Sequence, residues 1–156
     1  MQRLQCVMQH LSPETMSVAH AAQPLFAGQV AVVTGSGQGI GREAALLFAR
    51  QGAAVVVSDL DAAKSDAVAQ EIARAGGRAV SHPGDVTDPA FPEAVLKRAV
   101  DQYGKVTIVV NNAGYTWDAV IHKMTDKQWD AMIAVHATAV FRMVQNTFFC
   151  SRLFFC

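Results

Sequence analysis

Residues 29–42, QVAVVTGSGQGIGR, join an apolar run to a glycine-rich turn and then to a helix-forming segment. The run from Val30 to Val33 is typical of a strand buried on both faces of a parallel sheet. Residues 43–51 are rich in helix formers, and their apolar members are spaced to share one face: Ala44, Leu47 and Phe48. Strand, glycine turn and helix form the context of a dinucleotide site, because glycines let the backbone approach a pyrophosphate at the positive end of the helix.

Three segments that follow later apolar runs are placed as such a site requires. The run at residues 55–57 ends in Ser58 and Asp59, which places a carboxylate about 20 residues beyond the turn, where it can bind ribose hydroxyls. The third predicted strand, residues 78–82, precedes Asp85 and Val86, and the fourth, residues 106–110, runs directly into the segment NNAG at 111–114.

Helices are predicted between these strands. Asp61 is a plausible N-cap for a helix over residues 62–75 that turns Val68, Ile72 and Ala75 to the sheet, and a further helix is predicted over 89–103. A long helix is predicted from about Asp126, with apolar residues on much of its circumference, so we expect it to be buried, partly by another subunit. The alternation predicts an α/β fold: a Rossmann-type, doubly wound parallel sheet in three α/β/α layers, with strand order 3-2-1-4.

Composition restricts the class of protein. The 156 residues carry 13 basic and 13 acidic side chains, so no excess of positive charge points to nucleic acid or an anionic membrane surface. No run is long enough to cross a bilayer without charges. Three scattered cysteines show no zinc-like pairing, so we expect no metal site, and they favour a reducing compartment.

The chain divides into three predicted parts. Residues 1–24 are expected to be a flexible extension, residues 25–145 an NAD(P)-binding domain, and residues 146–156 an atypical tail. The tail holds four of the eight phenylalanines, and this shift in composition suggests an alternative transcript, a frameshift or a misread splice site. A cytoplasmic location is expected; a mitochondrial leader stays open but has thin support, since the first 28 residues hold only one arginine.

The combined motifs resemble a known family. Thr-Gly-x-x-x-Gly-Ile-Gly at 34–41, together with the NNAG segment, is similar to the classical short-chain dehydrogenase/reductases. DVTD at 85–88 and WDAMIAVH at 129–136 resemble the 3-oxoacyl-acyl-carrier-protein reductase branch, and the resemblance extends over residues 29–145. It implies an NAD(P)-dependent oxidoreductase that moves hydride between the cofactor and a small carbonyl or alcohol substrate, and that forms homo-oligomers.

The resemblance also implies a set of cofactor-binding residues. The turn and the segments after the other strands supply them: Gly35, Ser36, Gln38, Gly39, Ile40, Gly41, Asp59, Asp85, Val86, Asn112, Ala113 and Gly114. Alternatives stay open at this point: Asp59 as a loop acid or helix cap, Asp85 as a turn carboxylate, and Asn112 in a structural role. The cofactor is expected to be NAD, because Asp59 repels a 2′-phosphate, and because Gln38 and Leu60 stand where NADP-preferring relatives commonly carry a basic residue.

The catalytic residues of the family match this sequence poorly. His136 occupies the position of the family's catalytic Asn, where it could serve in a proton relay or be a core histidine satisfied by backbone. The family's Ser and Tyr-x-x-x-Lys are absent, since Tyr103 and Tyr115 are followed four residues later by Thr and Ala. The chain is therefore expected to be a fragment that is inactive alone. The alternatives are a non-catalytic nucleotide-binding or interaction isoform, and a gene-model product without function.

Overall fold

A computed structural model of the chain describes the backbone of residues 24–154 and the side chains of residues 24–148. The predicted N-terminal extension, apart from Pro24, and the end of the predicted tail lie outside the described residues. The elements in order are β1 (Val30–Thr34), α1 (Gly39–Arg50), β2 (Ala54–Ser58), α2 (Ala62–Arg74), β3 (Arg78–Ser81), α3 (Phe91–Tyr103), β4 (Ile108–Val110), a 3-10 turn (Ile121–Lys123), α4 (Asp126–Ile133), a π-helical turn (Ala134–Thr138) and α5 (Ala139–Phe154).

The four strands form one parallel sheet in the order β3-β2-β1-β4, which confirms the predicted topology. The register places Val32 of β1 opposite Val56 of β2 on one side and Val109 of β4 on the other. The carboxyl ends of β1, β2 and β4 therefore lie side by side at one edge of the sheet.

Helices cover both faces of the sheet, as the three-layer prediction requires. On one face, α3 and Met143 of α5 pack against Val30, Val32, Ala54 and Val56. On the other, α1 and α2 pack against Val33, Val55 and Val57. Because both faces are covered, every residue of β1 and β2 is buried, which explains why the two strands are valine-rich rather than alternating.

The apolar face predicted for the first helix, Ala44, Leu47 and Phe48, is only partly right: Phe48 packs against the core, whereas Leu47 is exposed. α1 begins at Gly39, inside the glycine turn, and it buries Gly41, Ala45 and Leu46, whereas Leu47 is 52% exposed. The physical reason is close packing: a stripe of small residues lets the start of the helix lie directly on the sheet, and this sets the helical phase.

The second helix matches its predicted start and core. The Asp61 carboxylate caps α2 by accepting hydrogen bonds from the backbone N–H groups of Ala63 (3.0 Å) and Lys64 (3.3 Å). Val68 and Ile72 are buried as predicted, but Ala75 is the exposed C-cap residue, because the helix has ended at Arg74.

The helix predicted from Asp126 begins there but is interrupted by the π-helical turn. This chain buries one side of the helix, and the burial expected from another subunit stays a prediction. Val135, Ala139 and Met143 are buried, whereas Trp129, Ile133, Phe141 and Val144 are 40–63% exposed. The sheet and α3 cover only one side of this helix, which leaves an apolar outer face.

Removing two methyl groups from the centre of the sheet should destabilise the fold. Val32 is fully buried between β2 and β4, so Val32→Ala is expected to lower the free energy of unfolding by about 2–3 kcal/mol through lost burial and a residual cavity. Urea denaturation of the wild type and variant measures this. The same change at Val120, which is 58% exposed, is the matched control and should cost under about 0.5 kcal/mol; equal losses at the two sites would contradict the prediction.

The stability of the fold should also fall in mild acid because of His82. Burial, with a contribution from the positive charge of Arg98, lowers the pKa of His82 from its ordinary value of 6.5. Below about pH 6.5 the unfolded chain therefore binds more protons than the folded chain, and stability decreases as the pH falls through that value. Urea titrations across this range should show a smaller decrease for His82→Gln than for wild type. His122→Gln, at an exposed histidine, should keep the wild-type pH dependence; an unchanged slope in His82→Gln would refute the assignment.

Candidate functional site

A large open cleft lies at the carboxyl ends of β1, β2 and β4. Its volume is about 590 Å³. The chain leaves β1 towards β2 on one side and towards β4 on the other, so the cleft sits where the strand order reverses, which is the usual ligand position in a doubly wound sheet. Its lining comprises Gly35, Gln38, Ile40, Gly41, Ser58, Asp59, Leu60, Gly84, Asp85, Val86, Asn112, Ala113, Gly114, Tyr115 and Val135.

All predicted cofactor residues except Ser36 and Gly39 line this cleft. Four segments far apart in the sequence thus meet at one place, as the motif spacing predicted. Sequence analysis did not select Ser58, Gly84, Tyr115 and Val135, which also line it. Their only signal was adjacency to a selected residue, which for Val135 is His136 on the long helix.

The glycine-rich turn depends on glycine for two different reasons. Gly35 and Gly39 have positive φ angles of 63° and 57°, which side chains disfavour. At Gly41 the reason is space: a Cβ atom there would lie 2.3 Å from the Gly35 carbonyl oxygen and 2.4 Å from Nδ2 of Asn112. α1 can therefore begin in contact with the turn that precedes it only because residue 41 has no side chain.

Asn112 ties the turn to β4. Its Nδ2 donates hydrogen bonds to the carbonyl oxygens of Thr34 and Gly35, both at 3.0 Å. The Thr34 hydroxyl in turn accepts from the backbone N–H groups of Asn112 and Ala113, both at 3.1 Å. The structural role left open for Asn112 is thus present, and the residue also forms part of the cleft wall.

Ser36 ties the turn to β2 instead. Its buried hydroxyl lies 2.7 Å from the Val33 carbonyl oxygen, and its backbone N–H donates to the Ser58 carbonyl at 2.8 Å. The Ser36 oxygen also accepts from the Ser58 N–H at 3.0 Å. These bonds occupy the polar groups that were predicted to lie near phosphates, so the observed task of Ser36 is to shape the turn.

Asp59 is held in a fixed orientation at the end of β2. One carboxylate oxygen accepts from the backbone N–H of Gly37 at 2.9 Å and the other from that of Asp61 at 3.1 Å. The helix cap is Asp61, not Asp59. Each oxygen of Asp59 retains a lone pair, so the carboxylate can accept further hydrogen bonds from a ligand in the cleft.

The start of α1 is suited to an anion. Gly39, Ile40 and Gly41 are its first residues, so their N–H groups have no carbonyl one turn earlier within the helix. The first turn contains no acidic residue that would neutralise the positive end of the helix dipole. An anionic group in the cleft beside Ile40 and Gly41 would meet these donors.

Asp85 and Val86 form the wall beyond Asp59. The Asp85 carboxylate accepts from the backbone N–H of Thr87 at 2.8 Å and from its hydroxyl at 2.7 Å. This is the turn-carboxylate arrangement left open above, and it coexists with the position of Asp85 in the cleft lining.

His136 lies beside the NNAG segment, within the π-helical turn. Its Nε2 is 2.8 Å from the Tyr115 carbonyl oxygen, and its ring packs so closely on Gly114 that a Cβ there would lie 2.5 Å from the ring. The residue is exposed, so the interpretation as a core histidine was wrong, although the backbone contact it assumed is present. π-helical turns are rare and are frequent at functional sites.

The two tyrosines occupy different environments. Tyr103 ends α3 and packs against the core, and its burial raises the pKa of the phenol, which makes it a weaker acid. Tyr115 is 50% exposed and lines the cleft.

Among the described residues there is no group of three or more His, Cys, Asp or Glu side chains placed to hold a metal ion. Within the same part of the chain, no helix has the length and apolar character to span a membrane.

Comparisons with known proteins agree with this geometry. The family model for short chain dehydrogenase matches residues 29–150. The chain is 46% identical to the peroxisomal hydratase-dehydrogenase-epimerase of Neurospora crassa, over 77% of this chain and 13% of that protein. It is 43% identical to the hydroxyacyl-CoA dehydrogenase ChsB1 of Mycobacterium tuberculosis, over 78% of this chain and 39% of that protein. It is 36% identical to the 3-oxoacyl-acyl-carrier-protein reductase FabG of Thermotoga maritima, over 76% of this chain and 48% of that protein.

A solved structure gives the same result for the fold. The short chain dehydrogenase from Mycobacterium avium matches with a TM-score of 0.76 and 36% identity, over 78% of this chain and 45% of that chain. The chain thus spans less than half the length of each of these relatives. With the motif, the strand order and the family match in agreement, the chain belongs to the short-chain dehydrogenase family.

Proposed function

We propose that this chain is the nucleotide-binding part of an oxidoreductase that uses NAD in preference to NADP. The observation that carries the proposal is the Asp59 carboxylate, fixed by two backbone N–H groups at the rim of a cleft whose opposite side is the start of α1. A fixed carboxylate favours the two free ribose hydroxyls of NAD and repels the 2′-phosphate of NADP.

The described residues fit a dinucleotide. The open cleft of about 590 Å³ lies in the size range of pockets that bind small molecules and cofactors. Its glycine turn leaves space where side chains would otherwise stand, and the Ser58 hydroxyl on its wall is buried without a hydrogen-bond partner among the described residues. Donors for an anion and an acceptor for hydroxyls thus line one cavity.

Each wall of the cleft would hold a different part of the cofactor. We assign the pyrophosphate to the N–H groups at Gly39, Ile40 and Gly41, and the ribose hydroxyls to Asp59. Asp85 and Val86 would border the adenine, while the wall from Asn112 to Gly114 would face the nicotinamide half. When bound, the nicotinamide supplies or accepts the hydride.

The proton chemistry of the reaction has few candidate groups in this chain. His136 can donate or accept a proton through its ring, and its contact with the Tyr115 carbonyl orients that ring beside Gly114. We propose it as a relay residue. Neither tyrosine is followed by a lysine four residues later, so we expect purified chain to bind nucleotide without measurable turnover of a carbonyl substrate.

The substrate class proposed for the full reaction is a 3-oxoacyl or 3-hydroxyacyl thioester, because two of the relatives are named for such substrates. We further propose a cytoplasmic location and association with like subunits.

A second candidate function is that of a non-catalytic binding or interaction module. The exposed apolar face of α4 and α5 favours it, since such a face is suited to a protein contact. NADH-linked reduction of a 3-oxoacyl thioester by purified chain would exclude the second candidate.

Neutralising Asp59 should weaken NAD binding and relax the preference over NADP. Asp59→Asn keeps the shape of the side chain but removes its charge and one acceptor oxygen, so we expect about tenfold weaker NAD binding. Isothermal titration calorimetry on the purified 156-residue chain measures this. Asp66→Asn makes the same charge change on an exposed part of α2 and should leave the affinity unchanged. Wild-type affinity in Asp59→Asn would contradict the proposed site.

Adding one methyl group at Gly41 should strongly weaken nucleotide binding. The new Cβ would overlap the Gly35 carbonyl and the Asn112 amide, so either the turn or its tie to β4 must move, and we expect at least about tenfold loss of affinity. Gly76→Ala is the control, since a Cβ there meets nothing within 4 Å and only its φ of 82° is unfavourable. Gly76→Ala should lower the free energy of unfolding by about 1 kcal/mol and bind nucleotide with wild-type affinity. Wild-type affinity in Gly41→Ala would refute the proposed role of the turn.

A further inference from the structure

A lysine that the sequence did not single out reaches the rim of the cleft. Lys64 lies in the first turn of α2, where the Asp61 cap fixes its backbone. Its ammonium group donates a hydrogen bond to Oε1 of Gln38 in the glycine turn, at 2.9 Å, and lies 3.8 Å from a carboxylate oxygen of Asp61. The side chain is 45% exposed, so the charge stays accessible to a ligand.

Gly37 makes this approach possible. A Cβ atom at residue 37 would lie 2.7 Å from Cβ of Lys64 and 2.8 Å from Oδ2 of Asp59. The lysine stem and the Asp59 carboxylate therefore adjoin the same point above the turn. A positive and a negative side chain thus stand next to each other at the end of the cleft that we assign to the ribose.

The bond from Lys64 also orients Gln38. With Oε1 accepting from the ammonium group, the NH₂ group of Gln38 faces away from Lys64 as a donor. Gln38 lines the cleft, so its donor faces the cleft wall, and the lysine charge adjoins it at 2.9 Å from the Gln38 oxygen. A phosphate oxygen is the type of acceptor that such a pair favours.

We propose that Lys64 is a specificity-determining residue, which sets how far the cleft tolerates a phosphate on the adenosine ribose. The proposal rests on the proposed function, because it concerns the same cleft. Asp59 repels a 2′-phosphate, and Lys64 offsets part of that repulsion from a position outside the glycine motif and beyond the end of β2. The residue discriminates between NAD and NADP by charge, since only NADP carries the extra phosphate.

A double-mutant cycle tests the proposal by binding alone. NAD and NADP are titrated calorimetrically into wild type, Lys64→Met, Asp59→Asn and the double variant, at low and at high salt. We expect Lys64→Met to weaken NADP binding about fivefold to tenfold more than it weakens NAD binding. We expect Asp59→Asn to bind NADP more tightly than wild type does. The double variant should lose that gain in NADP affinity. The lysine effect should shrink in high salt, because exposed charges are screened.

Two further variants make the result specific. Asp59→Asn/Lys64→Arg keeps the positive charge and should retain the NADP affinity of Asp59→Asn. Lys97→Met removes an equal charge from an exposed lysine on α3 and should change neither affinity. Circular dichroism confirms that each variant is folded.

The outcomes separate the two proposals. If NAD binds normally and Lys64→Met changes the NADP affinity of Asp59→Asn by no more than Lys97→Met does, the role of Lys64 is overturned while the proposed function stands. If folded wild type binds neither nucleotide, both the proposed function and the role of Lys64 are overturned.

Discussion

The site depends on the contact between the side-chain amide of Asn112 and the carbonyl oxygens of Thr34 and Gly35. This pair of hydrogen bonds joins the end of β4 to the turn that begins α1, over 77 residues of sequence. It also fills the space beside Gly41, which is why that residue cannot carry a side chain. The position of the helix start, and with it the direction of its N–H groups, follows from this contact.

A second set of hydrogen bonds holds the other side of the turn. Ser36 exchanges hydrogen bonds with Ser58, and Gly37 donates to Asp59, so the same turn is fastened to the end of β2. β1 is thus linked at its carboxyl end to both of its neighbours in the sheet. A turn held from two sides loses little entropy when a ligand binds, because most of its freedom has been lost on folding.

Much of the fold could be predicted from sequence because its signals are local. Uninterrupted valine runs predicted buried strands, and right-handed crossovers then fixed the order 3-2-1-4. The cleft residues followed from the rule that parallel strands end at one edge. The phase of α1 could not be predicted, since it is set by contacts of Gly41 with residues in another strand. Which side of the long helix this chain covers could not be predicted for a related reason: an apolar pattern shows what a helix can bury, but not what lies against it.

The same distinction explains which site residues were missed. Asp59 and the glycines are recognised by spacing within one β-α-β unit, whereas Lys64 contributes through a side chain that crosses from α2 to the turn. The sequence does not reveal this contact, because it depends on Gly37 having no side chain between Lys64 and the turn. Every group that we assign to the nucleotide lies between Gly35 and Gly114, on elements that pack against one another within the described residues. In the proposed assignment, the choice of cofactor depends on Asp59 and Lys64 at one end of the cleft, whereas the proposed relay residue, His136, packs on Gly114 at the other.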